Sequence, residues 1–194
     1  MLLQSFGTNY FPSRESIELR APHDQQQVIG TMPVCSTDDL AEVIKQAKVI
    51  QKVWSRLSVE ERISAIEPFG CLIEAHLDEL IEVLKTEQGM LDSVVRREVH
   101  ESISQIKHTL QVSPEELASI HQADESYGAE IKKVPYGIIA AIVPWNAPIS
   151  LATAKVIPAL LAGNAVIVKP SPRAPHGVTK FLDLLRNCLP PGLL

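Results

Sequence analysis

Two short runs of apolar residues constrain the fold of this chain more than any other feature. Residues 138–143 read IIAAIV and residues 165–168 read AVIV. Continuous β-branched runs of this length are typical of strands that are buried on both faces in a parallel sheet. The segment between them, Pro148 to Ala162, is apolar and is closed by Gly163-Asn164, which predicts a helix. The order therefore predicts a β-α-β unit.

A second helix is predicted after the second strand, opening at Pro175 and ending near Pro190. The alternation then stops at β-α-β-α. Two parallel strands leave an exposed sheet edge and too little sheet for a doubly wound layer. We therefore expect an α/β fold whose Rossmann-like parallel sheet is incomplete in this chain, with further strands supplied from elsewhere.

The rest of the chain predicts an arm followed by helices. Residues 1–35 contain several prolines and predict an irregular arm with one or two strands. Residues 36–128 are predicted to be mainly helical, and residues 129–194 form the β-α-β-α unit. Within the helical part the sequence marks five further features, which are a cap at Ser36, a capping box at Ser58, an interruption at Pro68, a C-terminal glycine at Gly89, and a short helix or turn at Pro114 before a polar connection over 121–126.

Composition excludes several function classes. The net charge is −5, so no basic stripe favours nucleic acid or an anionic membrane. No run of about 18 apolar residues is present, and the N-terminus lacks the pattern of a secretory signal, so a cytoplasmic protein is expected. The three cysteines are widely spaced and no HExxH occurs, so neither disulfides nor a metal site are predicted.

Two polar residues follow the predicted strands, where ligands bind in open α/β sheets. Asn146 precedes a helix, so its amide can donate to an oxyanion, or its side chain can simply cap that helix. Lys169 can reach a ribose hydroxyl or a phosphate, or remain a solvated charge. The chain has no GxGxxG and no GxxxxGK[ST], so these residues alone leave nucleotide binding open.

At the same positions the chain resembles the aldehyde dehydrogenase superfamily. The resemblance extends over essentially the whole chain and rests on Glu61-Arg62, Glu87-Gln88-Gly89, Pro135-Tyr136-Gly137, Val143-Pro144-Trp145-Asn146, Gly163-Asn164, Val168-Lys169-Pro170-Ser171 and Leu189-Pro190-Pro191-Gly192. It implies NAD(P)-dependent oxidation of an aldehyde to a carboxylic acid by a homo-oligomer. The implied catalytic residues are Asn146, as donor to the oxyanion, and Lys155. The implied cofactor-binding residues are Ile142, Val143, Pro144, Trp145, Lys169, Ser171 and Pro172.

One departure from the family pattern concerns the cofactor. Many NAD-preferring members have a glutamate three positions after the lysine, where this chain has Pro172 followed by Arg173. Loss of a carboxylate removes repulsion against a 2′-phosphate, and a cation attracts it. The cofactor is therefore expected to be NAD or NADP, with NADP tolerated or preferred.

A second departure concerns the nucleophile. The family reaction uses a cysteine thiolate and a glutamate base that lie far downstream in its members, and Cys35, Cys71 and Cys188 do not match that cysteine. The resemblance thus implies the N-terminal portion of an enzyme, truncated before the catalytic cysteine and not competent alone. The alternative is an inactive truncated homologue, or a partner of full-length subunits.

Overall fold

The computed structural model describes residues 4–6, 9–11, 15–123 and 127–194. Strands and helices alternate with long helical stretches, in agreement with the predicted α/β class. In chain order the elements are β1 (Gln4–Phe6), β2 (Asn9–Phe11), β3 (Ser16–Ala21), β4 (Asp24–Pro33), α1 (Thr37–Trp54), α2 (Val59–Ile66), α3 (Phe69–Ala75), α4 (Leu77–Gln88), α5 (Asp92–Glu116), β5 (Ile120–Ala123), β6 (Gly128–Ile131), β7 (Ile138–Ile142), α6 (Pro148–Leu161), β8 (Ala165–Lys169) and α7 (Pro175–Arg186).

The predicted β-α-β-α unit is confirmed. Strands β7 and β8 are parallel and in register from Ile138–Ala165 to Ile142–Lys169, with α6 as their crossover. Val166 N donates to Leu193 O at 2.9 Å, and the neighbouring Ala165 N donates to Gly137 O. Successive amides of a strand point to opposite sides. Residue 193 therefore lies on the side of β8 away from β7.

The expectation that β7 is covered on both faces is met on one face by the described residues, and coverage of the other face stays a prediction. Ala141 and Val143 are buried, whereas Ala140 and Ile142 are exposed. Alternate residues of a strand point to opposite faces, so the described part of the chain covers β7 on one face only. The strand was predicted from its unbroken apolar run, and such a run cannot show which face a neighbouring element covers.

The start and stop signals of the first four helices are confirmed. Ser36 and Ser58 each form a capping box with the acidic residue three positions later. Pro68 separates α2 from α3. Gly89 ends α4 with φ of 67°, a left-handed conformation that favours glycine.

Two expectations in the middle of the chain are wrong. Helix α5 continues through Pro114 to Glu116, because a proline in the last turn removes little of the hydrogen-bond ladder. Residues 121–123 of the predicted connection belong instead to strand β5, which pairs antiparallel with β6, and residues 124–126 lie outside the described ranges. The N-terminal arm also contains two antiparallel hairpins, β1–β2 and β3–β4, and so is richer in strand than expected.

The core lies between the helical part and the β-α-β-α unit. Helix α5 packs on α6, and α4 packs on α7. The fully buried Trp54 at the end of α1 donates its Nε1–H to Leu160 O at 2.8 Å, which fixes α1 against the last turn of α6. The rings of Phe69 and Phe181 meet edge to face with centroids 4.9 Å apart.

A buried glutamate joins α4 to the start of α7. Glu87 Oε1 accepts from His176 N at 2.6 Å, and Glu87 Oε2 accepts from Gly177 N at 3.0 Å. The close approach depends on glycine, because a Cβ on Gly177 would lie 2.2 Å from Leu84 Cδ2. Burial raises the pKa of Glu87 to about 7, against the opposing effect of its two amide hydrogen bonds.

The titration of Glu87 predicts a pH dependence of stability. The folded chain holds this proton up to about pH 7, whereas the unfolded chain releases it near 4.5. The proton on Glu87 therefore stabilises the folded chain fully below pH 4.5, and this stabilisation is lost as the pH rises to about 7. This change in the pKa of Glu87 corresponds to about 3 kcal/mol in the free energy of unfolding.

We expect Glu87→Gln to remove this component, so that its free energy of unfolding falls less than that of the wild type between pH 5 and pH 7. Urea denaturation at several pH values measures the two slopes. Glu82→Gln, an exposed change on the same helix, should keep the wild-type slope. Equal slopes for Glu87→Gln and the wild type would contradict the assignment.

Candidate functional site

The two parallel strands end side by side and bring two loops together. Ile142 pairs with Lys169, and Val143 N donates to Lys169 O at 3.1 Å. We call the loops 143–147 and 170–174, together with Lys169 at the end of β8, the carboxyl edge. Helices α6 and α7 both begin at this edge, so their N-terminal amides point towards it.

Asn146 is exposed in the first of these loops. Helix α6 is preceded by Ala147, with φ of −148°, and no side chain of this segment caps it. In the part of the chain that the structure describes, the Asn146 amide makes no hydrogen bond. The alternative that Asn146 caps the helix is therefore excluded, and its two N–H groups are available to a ligand.

The capping group of α6 is a glutamate from α5. Glu98 Oε1 accepts from Ile149 N at 2.8 Å and from Ser150 N at 3.2 Å. Glu98 is only 7% exposed. Burial raises its pKa, and the two amide hydrogen bonds oppose that rise. Sequence reasoning missed this residue, although a charged side chain between the apolar positions Val95 and Val99 was a visible signal.

A second side chain from the helical part holds the same loop. Gln88 Nε2, at the end of α4, donates to Trp145 O at 2.9 Å. The backbone on each side of Asn146 is thus fixed by a residue of the helical part, on one side by Gln88 and on the other by Glu98. No local pattern around Gln88 predicts this role, beyond its place in the resemblance.

The second loop places two cations at the carboxyl edge. Lys169 is exposed, and its Nζ lies 3.3 Å from Pro170 O. The guanidinium carbon of Arg173 lies 5.7 Å from the centre of the Trp145 ring, which joins the two loops by a cation–π contact. Ser171 Oγ accepts from Arg173 N at 3.2 Å, which shapes the turn, and Pro172 is exposed beside them.

The other predicted cofactor residues differ in exposure. Ile142 is 66% exposed and Trp145 is 42% exposed, and Pro144 is exposed between them. Val143 is buried, so only its backbone borders the carboxyl edge. An apolar surface beside two cations fits the base and phosphates of a nucleotide, which makes these residues suitable for a dinucleotide cofactor.

Lys155 is not brought to the carboxyl edge by the backbone. It is exposed and lies seven residues after Pro148, about 10 Å along the axis of α6. Its assignment as a catalytic residue remains a prediction.

The cysteines also lie elsewhere. Cys188 follows α7, which starts at the carboxyl edge and runs to the opposite end of the sheet, and burial raises the pKa of its thiol. Cys35 precedes α1 and Cys71 lies in α3, and both are exposed. Within the described ranges no three His, Cys, Asp or Glu residues are grouped to hold a metal ion, and no helix is long and apolar enough to cross a membrane.

Comparisons with solved structures support this geometry. The chain superposes with a TM-score of 0.91 and 26% identity on the crystal structure of NADP-dependent glyceraldehyde-3-phosphate dehydrogenase from Bacillus halodurans C-125 complexed with NADP. The match covers 97% of this chain and 41% of that one.

Comparisons of sequence also find dehydrogenases. The chain is 30% identical to 3,6-anhydro-alpha-L-galactose dehydrogenase of Streptomyces coelicolor over 87% of its own length and 34% of the relative's. It is 31% identical to acetaldehyde dehydrogenase of Pseudomonas aeruginosa over 87% of its length and 33% of the relative's. The chain thus spans about a third of the length of these relatives. The model of the aldehyde dehydrogenase family matches residues 10–194, and the chain therefore belongs to that family.

Proposed function

We propose that this chain takes part in the NAD(P)-dependent oxidation of an aldehyde to a carboxylic acid, in which it supplies the oxyanion donor and part of the cofactor site. The observation that carries the proposal is the state of Asn146. Its amide is exposed at the carboxyl edge and makes no hydrogen bond to the described residues, while Glu98 accepts from the first two N–H groups of α6.

Asn146 has the chemistry that the reaction requires of a donor. Attack of a thiolate on an aldehyde carbonyl turns the carbonyl oxygen into an oxyanion. A fixed amide N–H that points to that oxygen stabilises the developing charge without reorganisation. Since Asn146 keeps both side-chain N–H groups free, it can direct one to the oxyanion.

The cofactor site is built from both loops of the carboxyl edge. A nicotinamide cofactor bound between these loops would supply the acceptor for the hydride that leaves the substrate carbon. Ile142 and Trp145 offer it an exposed apolar surface, and Lys169 offers a cation for the ribose or a phosphate. Arg173, held against Trp145, offers a second cation. Support for a nucleotide here comes also from the similar glyceraldehyde-3-phosphate dehydrogenase, which was crystallised with NADP.

We infer that the nucleophilic thiolate is none of the three cysteines of this chain. Cys188 lies at the end of the sheet opposite Asn146, and Cys35 and Cys71 lie outside the β-α-β-α unit. A polypeptide that comprises residues 1–194 alone is accordingly expected not to turn over an aldehyde.

The role of Asn146 is tested by Asn146→Ala in the protein expressed from its own gene. We expect kcat to fall by about a hundredfold to a thousandfold, as for loss of one oxyanion donor. The KM values for aldehyde and cofactor should change little, because the donor acts on charge that develops after binding. Steady-state kinetics with a panel of aldehydes measures both.

Asn187→Ala is the matched control, since Asn187 is an exposed asparagine at the C-terminal end of α7, away from the carboxyl edge. An unchanged kcat in Asn146→Ala would refute the proposed role.

The cofactor preference is tested through Arg173. We propose that NADP is accepted at least as well as NAD, because Arg173 can pair with the 2′-phosphate and Pro172 carries no opposing charge. Arg173→Ala should weaken NADP binding by about tenfold or more, the usual worth of a hydrogen bond to a charged group, and should affect NAD much less. Fluorescence titration gives both dissociation constants.

The change Arg97→Ala, at an exposed arginine on α5, is the control and should leave both constants unchanged. Strong selectivity of the wild-type protein for NAD would overturn the preference.

We also propose that the complete protein is a homo-oligomer. Hairpin β5–β6 is exposed along its described length, and Ile120 and Ile131, 49% and 51% exposed, lie directly opposite each other in it. An exposed apolar pair on a two-stranded ribbon is typical of a surface that another subunit covers.

We expect Ile131→Lys to reduce the assembled mass in mass photometry, because it would bury a charge at the contact. Val49→Lys, at an exposed valine on α1, should not. An assembly that withstands Ile131→Lys would place the contact elsewhere.

A further inference from the structure

Helix α6 begins without a cap from its own segment. Pro148 at its first position has no N–H, so Ile149 and Ser150 carry its first free amides. Both donate to a single oxygen of Glu98, which is about fifty residues earlier in the chain. A carboxylate at this point satisfies two amides and lies at the positive end of the helix dipole.

The position of Glu98 is itself fixed by its surroundings. It lies on the buried face of α5, between Val95 and Val99, and α5 packs along α6. One turn later Ser102 Oγ donates to Glu98 O at 2.8 Å and contacts Ser150 Oγ at 3.4 Å. These contacts therefore hold the start of α6 in a defined position against α5.

Asn146 is three residues before the first amide that Glu98 binds. Between them Pro148 has a ring-restricted φ and limits the backbone of Ala147 before it, so little freedom remains in the connection. The other side of Asn146 is held by the bond from Gln88 Nε2 to Trp145 O. The direction of the Asn146 amide thus depends on where Glu98 holds the helix start.

We propose that Glu98 is a positioning residue for Asn146: by capping α6 in place of a local side chain, it leaves the Asn146 amide free and fixes the turn that presents it. The proposal rests on the proposed role of Asn146 as the oxyanion donor. Glu98 is buried and binds the first amides of α6, so its effect on the reaction passes through the turn.

Glu87 provides a natural comparison within the same chain. It is also buried, it also binds two N-terminal amides, and it also comes from the helical part, but its helix is α7. Removal of either carboxylate leaves two N-terminal amides of a helix without their hydrogen-bond acceptor. Only removal of Glu98 loosens the helix that follows Asn146.

The first test is a double-mutant cycle in the protein expressed from its own gene. Glu98→Ala should lower kcat by about tenfold to a hundredfold, the range that follows from small misplacement of a reacting group, with little change in either KM. In the Asn146→Ala background the same change should lower kcat by less than about threefold, because residues that act through one another are not additive. Glu98→Gln, whose amide oxygen can accept the same two bonds, should recover most of the loss.

The second test does not depend on turnover. Hydrogen–deuterium exchange with mass spectrometry of Glu98→Ala should show faster exchange in peptides that contain Ile149 and Ser150, and unchanged exchange at His176 and Gly177. Glu87→Ala should show the reverse. If Glu98→Ala does not fold, Glu98→Asp is measured in its place, because its shorter side chain brings the carboxylate one methylene short of the two amides. Unchanged exchange at Ile149 and Ser150 would overturn the proposal.

The outcomes separate the two levels of inference. If Asn146→Ala leaves kcat unchanged, the proposed function itself fails. If Asn146→Ala lowers kcat but Glu98→Ala does not, or if the two losses are additive, the positioning role alone fails.

Discussion

A buried carboxylate from the helical part stands at the first free amides of each helix in the β-α-β-α unit. Glu98 serves α6 and Glu87 serves α7. Both helices open with a proline after an alanine and have no cap of their own. Because the caps come from a distance, the loops between strand and helix need no serine or aspartate to satisfy the helix. They are free to carry Asn146, Lys169 and Arg173.

These hydrogen bonds join the helical part to the β-α-β-α unit, two parts of the chain whose sequence patterns differ. The helical part supplies the carboxylates, the Gln88 amide and the Trp54 indole, and the β-α-β-α unit supplies the backbone groups that they bind. Desolvation of the two carboxylates raises their pKa values, so the unit is held by groups whose charge is costly in the interior. The amide hydrogen bonds offset part of that cost.

The features that the sequence predicted are those encoded locally. Capping boxes, the Pro68 interruption, the Gly89 end and the apolar runs of β7 and β8 each depend on a few neighbouring residues. The features that it missed depend on distant contacts. Which face of β7 is covered, the hairpin that β5 forms, and the caps supplied by Glu87 and Glu98 are decided by residues roughly ten to ninety positions away, and no local pattern encodes them.

The candidate site follows the same division. Asn146 and Lys169 were predicted at the carboxyl edge because strand ends in parallel sheets meet there. The contact of Arg173 with Trp145 and the burial of Val143 became visible only when the two loops were placed side by side. The sequence likewise left open whether Asn146 caps α6, because the carboxylate that does so, Glu98, comes from α5.

The distant caps also constrain the order in which α6 and α7 can gain hydrogen-bond partners for their first amides. Synthesis proceeds from the N-terminus, so α4 and α5 emerge before α6 and α7 and present Glu87 and Glu98 in advance. Each later helix then docks onto a surface that already carries its cap. Residues 128–194 on their own would lack both carboxylates as well as the apolar faces of α4 and α5. The change in sequence pattern near residue 129 is thus a boundary of composition, and the hydrogen bonds that cap α6 and α7 cross it.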